Sequence, residues 1–581
     1  MDSRSAAHVL SQIGSLLELA GAPRFNARAY QHAARAVLAL GADDLTPLYK
    51  SGELAKTKGV GPATLSVLRE LIETGDSSYL ERLQEATPGG LFDLLRVPGL
   101  GGTKVNMLHQ ELGVETLDDL EAVAVDGRLA KLPKFGPKTV ERILKGIEFA
   151  RHATRRALYH RALYQADILQ ATVERHPDVI KAIVAGSIRR LNETIRDVDI
   201  VAVCSADPTS VAESFAQMPG IKRAEVKNDT ASIQFVDDVS ADIACVLPEN
   251  AGFVLWRLTG SDLHVQEMHV WAATHKHTLT DTTLSSARGK ACPCATEKHF
   301  FDALGLPEIP PELREGHGEI EAAAADILPD LVTLHDLKGA LHCHTTWSDG
   351  GASIEQMAEA ARERGWKYIG ISDHSESAFY AGGMKRDKLA EQHDEIDEIN
   401  SRMKGFRVLK GIEADITSDG RIDYSDGPLD TFDYVIASVH SRFSMDGVAM
   451  TERVLKALDD PRLTILGHPT GRLLLHREPY AIDLEAVIEK AAETGAAIEL
   501  NADPHRLDMD WRHCRIAKEK GVTIEIGPDA HSEDSLDYVE LGIGMARKAW
   551  LEAGDILNAR PVRDVLKFAA SRRHRGPRTA V

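Results

Sequence analysis

The sequence predicts a multidomain α/β protein: a helical first quarter, an α+β middle and a C-terminal barrel of alternating strands and helices. Three observations point there. In the first 150 residues, amphipathic helical stretches are joined by short glycine turns. Between Val179 and Val246, apolar β-like runs carry aspartates. Beyond Leu341, short apolar runs (YIGIS, RVLKGIE, YVIASVH, LTILGH, VTIEIG) recur, and most of them close on a histidine or a carboxylate. At 581 residues the chain is too long for one core.

The composition, 43% hydrophobic and 27% charged, is that of an ordinary globular protein. No apolar run approaches the ~20 residues of a membrane span, and the N-terminus lacks a signal peptide's apolar core. Six cysteines, with Cys343 inside a histidine motif and Cys292 and Cys294 in a lone CPC, suggest no disulfide framework. The expected location is cytoplasmic. The net charge of −20 is unevenly spread: residues 1–165 hold 21 Lys/Arg against 19 Asp/Glu, so the acidity lies downstream. The first third is therefore free to meet a phosphate backbone. The basic tail from Ser571 to Thr579 reads as a solvated end.

Three N-terminal segments share one design, a short turn with glycine followed by a helix: KGVGPATLSVLREL, VPGLGGTKVNMLHQEL and LPKFGPKTVERILKGI. Their glycines are Gly59 and Gly61, Gly99 and Gly101, and Gly136, with Lys134 standing where the third copy lacks its first glycine. Such turns let a phosphate oxygen approach the free N–H groups of the helix that follows. Lys104 and Lys138 are placed for a phosphate contact.

In VIKAIVAGSIRRLNETIRDVDIVAV, a strand leads through a Gly-Ser turn to a second strand bearing Asp197 and Asp199, and SADIACV brings Asp242 on another. Alternation puts Asp197 and Asp199 on one face. Three converging carboxylates suit two Mg²⁺ or Mn²⁺ ions and phosphoryl transfer.

The last segment carries nine metal-capable side chains: His342 and His344 in LHCH, Asp349, His374 in SDH, Glu413 in GIEAD, His440, His468, and Asp529 and His531 in PDAH. A lone histidine is ordinarily structural, but six histidines and three carboxylates at strand ends converge on one mouth. Mixed imidazole and carboxylate donors suit Zn²⁺ or Mn²⁺.

From about Leu337 to Phe568 this pattern resembles the PHP (polymerase and histidinol phosphatase) family. The resemblance implies a distorted seven-stranded β/α barrel with up to three ions: one on His342, His344, Glu413 and Asp529, a second on Asp349, His374 and His531, a third on His440 and His468, with Glu413 bridging. Together with the hairpins, the aspartate-bearing palm, TGSD (Thr259 to Asp262) and LPEIPPELREGHGEIEAA, the whole chain resembles a bacterial family X DNA polymerase with a C-terminal PHP domain. The expected organisation is a helical DNA-binding region over 1–80, a fingers-like region over 81–155, a nucleotidyltransferase palm over 156–250, a polymerase beta-like thumb over 251–325, a linker over 326–336 and the PHP domain over 337–581.

The resemblance implies repair synthesis on gapped or nicked DNA with dNTPs, coupled to metal-dependent 3′–5′ exonuclease action, by a monomer. Gly186, Ser187 and Arg190 would contact the triphosphate, and Asp262 would lie beside the incoming base. The sequence departs from the family's pattern at Ile195, Arg196, Ser240, Arg257, Leu258, Val265 and His269, all around the nucleotide, and Val67 stands where a lyase lysine is expected. These departures leave a second reading, a DNA-end nuclease on a degenerate polymerase frame. A non-catalytic gap-binding scaffold and a small-molecule phosphatase are further alternatives.

Overall fold

Ala6, Leu10, Ile13 and Leu17 recur at three- and four-residue intervals, so the helix Ser3–Leu19 presents one apolar stripe. That stripe shares a buried cluster with Ala27, Tyr30, Ala33 and Val37 of the helix Arg24–Leu38. Val67 is 5% exposed in the same core, and burial of such a side chain is worth ~1.5–3 kcal/mol. The computed structural model describes residues 1–574 except 2, 39, 41, 43, 89, 96, 155, 237–238, 281 and 425–426. Most of the basic tail, from residue 575 on, lies outside the described residues. No helix among them is long and apolar enough to cross a membrane.

Residues 1–155, with 475–477, form one compact unit. It contains the three glycine hairpins, and they share a turn. Gly59, Gly99 and Lys134 take φ of +106°, +87° and +74°, so the third copy reaches the left-handed conformation without glycine. Each turn feeds a helix beginning at the next residues, Pro62–Thr74, Gly102–Leu112 and Pro137–Thr154.

Residues 156–474 and 478–581 form the second unit. Its first sheet has β1 (Val179–Val184), β2 (Val198–Cys204), β3 (Ile221–Lys227), β4 (Thr230–Phe235) and β5 (Ser240–Val246), in the order β1-β2-β5-β4-β3. The β2–β5 pair is parallel and the other neighbours are antiparallel. Asp197 sits one residue ahead of its strand. Beyond the sheet, Trp256 stacks on Phe300 at 4.0 Å in a separate core that extends to Ile320.

The strands from Gly339 onward are all parallel: β6 (Gly339–Ala340), β7 (Tyr368–Ile371) and β8 (Arg407–Lys410) in one sheet, then β9 (Glu413–Asp415), β10 (Ile436–Ser438), β11 (Ile465–Leu466), β12 (Ala497–Asn501) and β13 (Ile524–Gly527) in another. Seven chain segments supply these eight strands, because β8 and β9 are one run broken at Gly411 and Ile412. A Cβ on Gly411 would strike the Tyr434 ring, and one on Gly370 its hydroxyl. That hydroxyl donates to the Leu341 carbonyl and so anchors the end of the first segment. A parallel bridge between Cys343 and Ala530 joins the first segment to the last.

The stretch expected as a linker is pinned to this region at Leu331 and Val332. Val332 is fully buried, its N–H donates to the Leu551 carbonyl at 3.0 Å, and Arg547 reaches its carbonyl at 3.1 Å.

Candidate metal centres and nucleic-acid contacts

Six of the seven parallel segments end at a metal-capable residue, β12 being the exception. His374 lies three residues beyond β7, Glu413 opens β9, and His440 and His468 each lie two residues beyond β10 and β11. Asp529 follows β13 by two residues in a left-handed turn (φ +51°), an unfavourable conformation that a neighbouring bond, from the Ala530 N–H to the His342 carbonyl, holds in place.

All nine predicted residues come together, with Glu413 at the centre. Its Oε2 faces His374 Nδ1 at 2.9 Å, His342 Nε2 at 3.5 Å and His344 Nε2 at 3.6 Å. Its Oε1 faces His468 Nε2 at 2.9 Å and His440 Nε2 at 3.2 Å. Asp529 Oδ1 stands 3.3 Å from His344 Nε2, and Asp349 Oδ1 stands 3.4 Å from His531 Nε2. Three groups of donor atoms are close enough to share an ion: His342, His344 and Asp529; His344, Asp349, His374 and His531; and His374, Glu413 and His440. These groups differ from the expected sets: Glu413 falls only in the third, and His468 in none of the three. His344 and His374 each take part in two groups, because both nitrogens of each ring face the cluster.

Electrostatics fit a cation here. Burial would raise the Glu413 and Asp529 carboxyls, but the surrounding imidazoles hold both well below the usual range. Burial, reinforced by His531 and His374 at ring separations of 4.3 and 4.5 Å, drives His344 down to about 3, so it is neutral. His342 Nε2 and both His344 nitrogens are buried without a hydrogen-bond partner. A buried polar atom left unpaired is costly, and a coordinated metal would remove that cost.

Residues behind the cluster were not singled out in the sequence. Glu499 accepts from His342 Nδ1 at 2.5 Å, and Asp415 faces His440 Nδ1 at 2.8 Å. Each fixes which imidazole nitrogen points at the cluster. Asp415 was within reach as the second carboxylate of GIEAD; Glu499, mid-strand in IEL, carried no local signal. Asp529 is steadied in turn by Asn501 at 3.1 Å and Arg506 at 3.4 Å.

In the first sheet, Asp199 and Asp242 are direct neighbours across the β2–β5 pair. The same row continues to Ser232 and Glu225. A cavity of about 220 Å³ is lined by Asp197, Asp242, Arg223, Glu225, Ser232 and Ser240. Burial, then Asp197 and Asp242, pushes Asp199 up to about 7, a concentration of negative charge that calls for cations. One is already supplied by the chain: Arg196 Nε donates to Asp197 Oδ2 at 2.8 Å.

Gly186 has φ +62°, and a Cβ there would overlap the Asp199 carboxylate. The turn is tied to the same strand by the Ala185 N–H donating to the Asp199 carbonyl at 2.8 Å. For the primer extension and 3′ shortening that the resemblance implies, Gly186→Ala is expected to displace Asp199 and reduce extension at least ~100-fold, with shortening unaffected. Single-turnover rates of the two reactions on one labelled primer check it.

Ser187 lies in the same turn, half-buried. Arg190 does not point freely into the cavity: it donates to Glu315 Oε1 at 2.9 Å and to the Thr259 carbonyl at 2.7 Å. Asp262 is exposed at the first turn of the helix Asp262–Thr274, which Ser261 caps.

In the hairpins, a Cβ on Gly61, Gly101 or Gly136 would meet nothing within 4 Å, leaving the backbone open to a close partner. Lys138 is exposed, whereas Lys104 folds back to donate to the Gly99 carbonyl at 2.7 Å.

Comparison with known protein families matches four stretches of the chain. Residues 1–77 match a helix-hairpin-helix domain and 91–148 a SAM-like helix-hairpin-helix tandem. Residues 254–315 match the DNA polymerase beta thumb, and 340–503 the PHP domain. The DNA polymerase/3′-5′ exonuclease PolX of Bacillus subtilis is 37% identical over 98% of this chain and 99% of its own length. A protein named "probable phosphatase" from Caldanaerobacter subterraneus is 32% identical over 34% of this chain and 77% of its own. Another of that name from Shewanella sp. MR-4 is 28% identical over 40% of this chain and 92% of its own.

Proposed function

We propose, because the chain belongs to the bacterial family X DNA polymerases with a C-terminal PHP domain, that it fills short DNA gaps and trims 3′ ends at a separate site. The observation that carries the trimming half is Glu413, one carboxylate facing five imidazoles within 3.6 Å. His342, His344, Asp349, His374, Glu413, His440, His468, Asp529 and His531 would hold Zn²⁺ or Mn²⁺, which would supply Lewis acidity toward a phosphodiester and a nucleophile near neutral pH. The chain's own part is to fix those donors: Glu499 and Asp415 set the imidazole tautomers, and Arg506 and Asn501 hold Asp529 in place.

For gap filling, Asp197, Asp199 and Asp242 would hold Mg²⁺ or Mn²⁺. Asp242, which pairs with Asp199 in the sheet, would orient the primer 3′-hydroxyl and take its proton on a carboxylate oxygen. Gly186, Ser187 and Arg190 would meet the dNTP triphosphate and Asp262 its base. The hairpin backbones around Gly59, Gly61, Gly99, Gly101 and Gly136, with Lys104 and Lys138, would grip the phosphates of gapped or nicked DNA without reading sequence. The enzyme would act as a cytoplasmic monomer.

A second reading keeps only the nuclease, and one contact favours it: Arg196 on Asp197, a fixed cation where a metal must bind. A labelled primer in gapped DNA with Mn²⁺, with and without dNTPs, separates the two. Extension with dNTPs and shortening without them support both sites. Shortening with no extension under any dNTP or metal condition leaves a DNA-end nuclease on a polymerase frame.

A further inference from the structure

One buried lysine of the PHP region reaches into the nucleotide turn of the palm. Lys548 ends the helix Val539–Lys548 and is 2% exposed. Its ammonium donates to the Arg190 carbonyl and to Asn192 Oδ1, each at 2.9 Å, and to Glu315 Oε1. The same Glu315 oxygen accepts from Arg190 Nε at 2.9 Å. Arg190 completes the loop by donating to the carbonyl of Thr259. One carboxylate is thus shared by two cations, one from each region.

Attachment alone does not need this arrangement. Arg547, the preceding residue, already pairs with Glu312 at 2.5 Å, and Arg472 pairs with Glu193 at 2.5 Å. Leu541 packs against the cores of both regions, and Gly544 leaves room for Leu191. Among these contacts, Lys548 alone bears on the carboxylate that holds the Arg190 guanidinium. A buried ammonium is expensive to desolvate, and an apolar side chain would pack here at less cost. Its position therefore has a consequence for Arg190. The Lys548 charge also repels that of Arg190 and so offsets part of the Glu315 attraction; without Lys548, that attraction acts on Arg190 unopposed.

We propose that Lys548 is a positioning residue of the polymerase site, competing for Glu315 so that Arg190 can leave it for the triphosphate of an incoming nucleotide. This rests on the gap-filling reading above, and it makes the PHP region a structural part of that site.

The test is single-nucleotide insertion by the full-length protein on gapped DNA, measured as kcat and KM for the dNTP. Lys548→Met should raise KM roughly tenfold with kcat little changed, while 3′ shortening stays at the parent rate. Glu315→Gln leaves Lys548 two neutral acceptors and frees Arg190, so it should lower KM. The double variant should follow Glu315→Gln, an ordering that a loss of packing would not produce. A KM unchanged in Lys548→Met, a raised KM in Glu315→Gln, or a double variant no better than Lys548→Met would each overturn the proposal. Should Lys548→Met not fold, the sign of the Glu315→Gln effect decides. A parent that neither extends primers nor binds dNTP overturns the gap-filling reading and this inference together; a parent that extends while the variants match it overturns the inference alone.

Discussion

Glu413→Gln is expected to lower metal-dependent 3′ shortening at least ~1000-fold, while extension of a gapped primer stays within about twofold of the parent. Glutamine keeps the size of the side chain and removes its charge. That charge is the hub of the cluster, with His374 and His468 each at 2.9 Å and three further imidazoles within 3.6 Å. Burial would lower His440, yet Glu413 and Asp415 raise it to about 10. Without the Glu413 charge, five imidazoles face an uncharged amide whose NH₂ group cannot coordinate, and a cation held there would lose an anionic ligand. Three tenfold steps correspond to ~4 kcal/mol, the scale of charge stabilisation a bound cation supplies. Metal content measured alongside should fall with the rate. A variant that keeps both its metal and a rate within tenfold of the parent would show that Glu413 is not the shared ligand.

Much of this cluster was legible in the sequence because its spacing is local. A ligand one to four residues beyond a short apolar run is at the mouth of a parallel array whatever the strands pair with. The aspartates of the palm were legible for a similar reason, since alternation along one strand decides their face. Broken β8 and β9 were not, because the interruption comes from the Tyr434 ring lying against Gly411, a contact between segments. Lys134 looked like a defect in the third hairpin, yet the turn holds it at φ +74° like its glycine counterparts. The backing carboxylate Glu499 and the triangle of Arg190, Glu315 and Lys548 join residues 157, 233 and 358 positions apart. No periodicity or motif records such pairings, since they exist only once the layers are packed.

Asp242→Ala is expected to reduce primer extension at least ~1000-fold and to leave 3′ shortening untouched. Asp242 and Asp199 face each other across one parallel pair, so removing either opens the site from one side. Glu225 lies on the same row and lines the same cavity, which raises the question of rescue. It stands two strands away from Asp242, about 10 Å at ~4.8 Å per strand, far beyond the ~2 Å of a metal–oxygen bond. Arg196 works in the same direction. With Asp242 gone, its guanidinium on Asp197 offsets a larger share of the remaining negative charge, and cation binding weakens further. Extension and shortening read on the same primer make each reaction the control for the other. Extension surviving in Asp242→Ala would place the polymerising chemistry away from this row; loss of both reactions would mean that the substitution disturbs the fold and not one site.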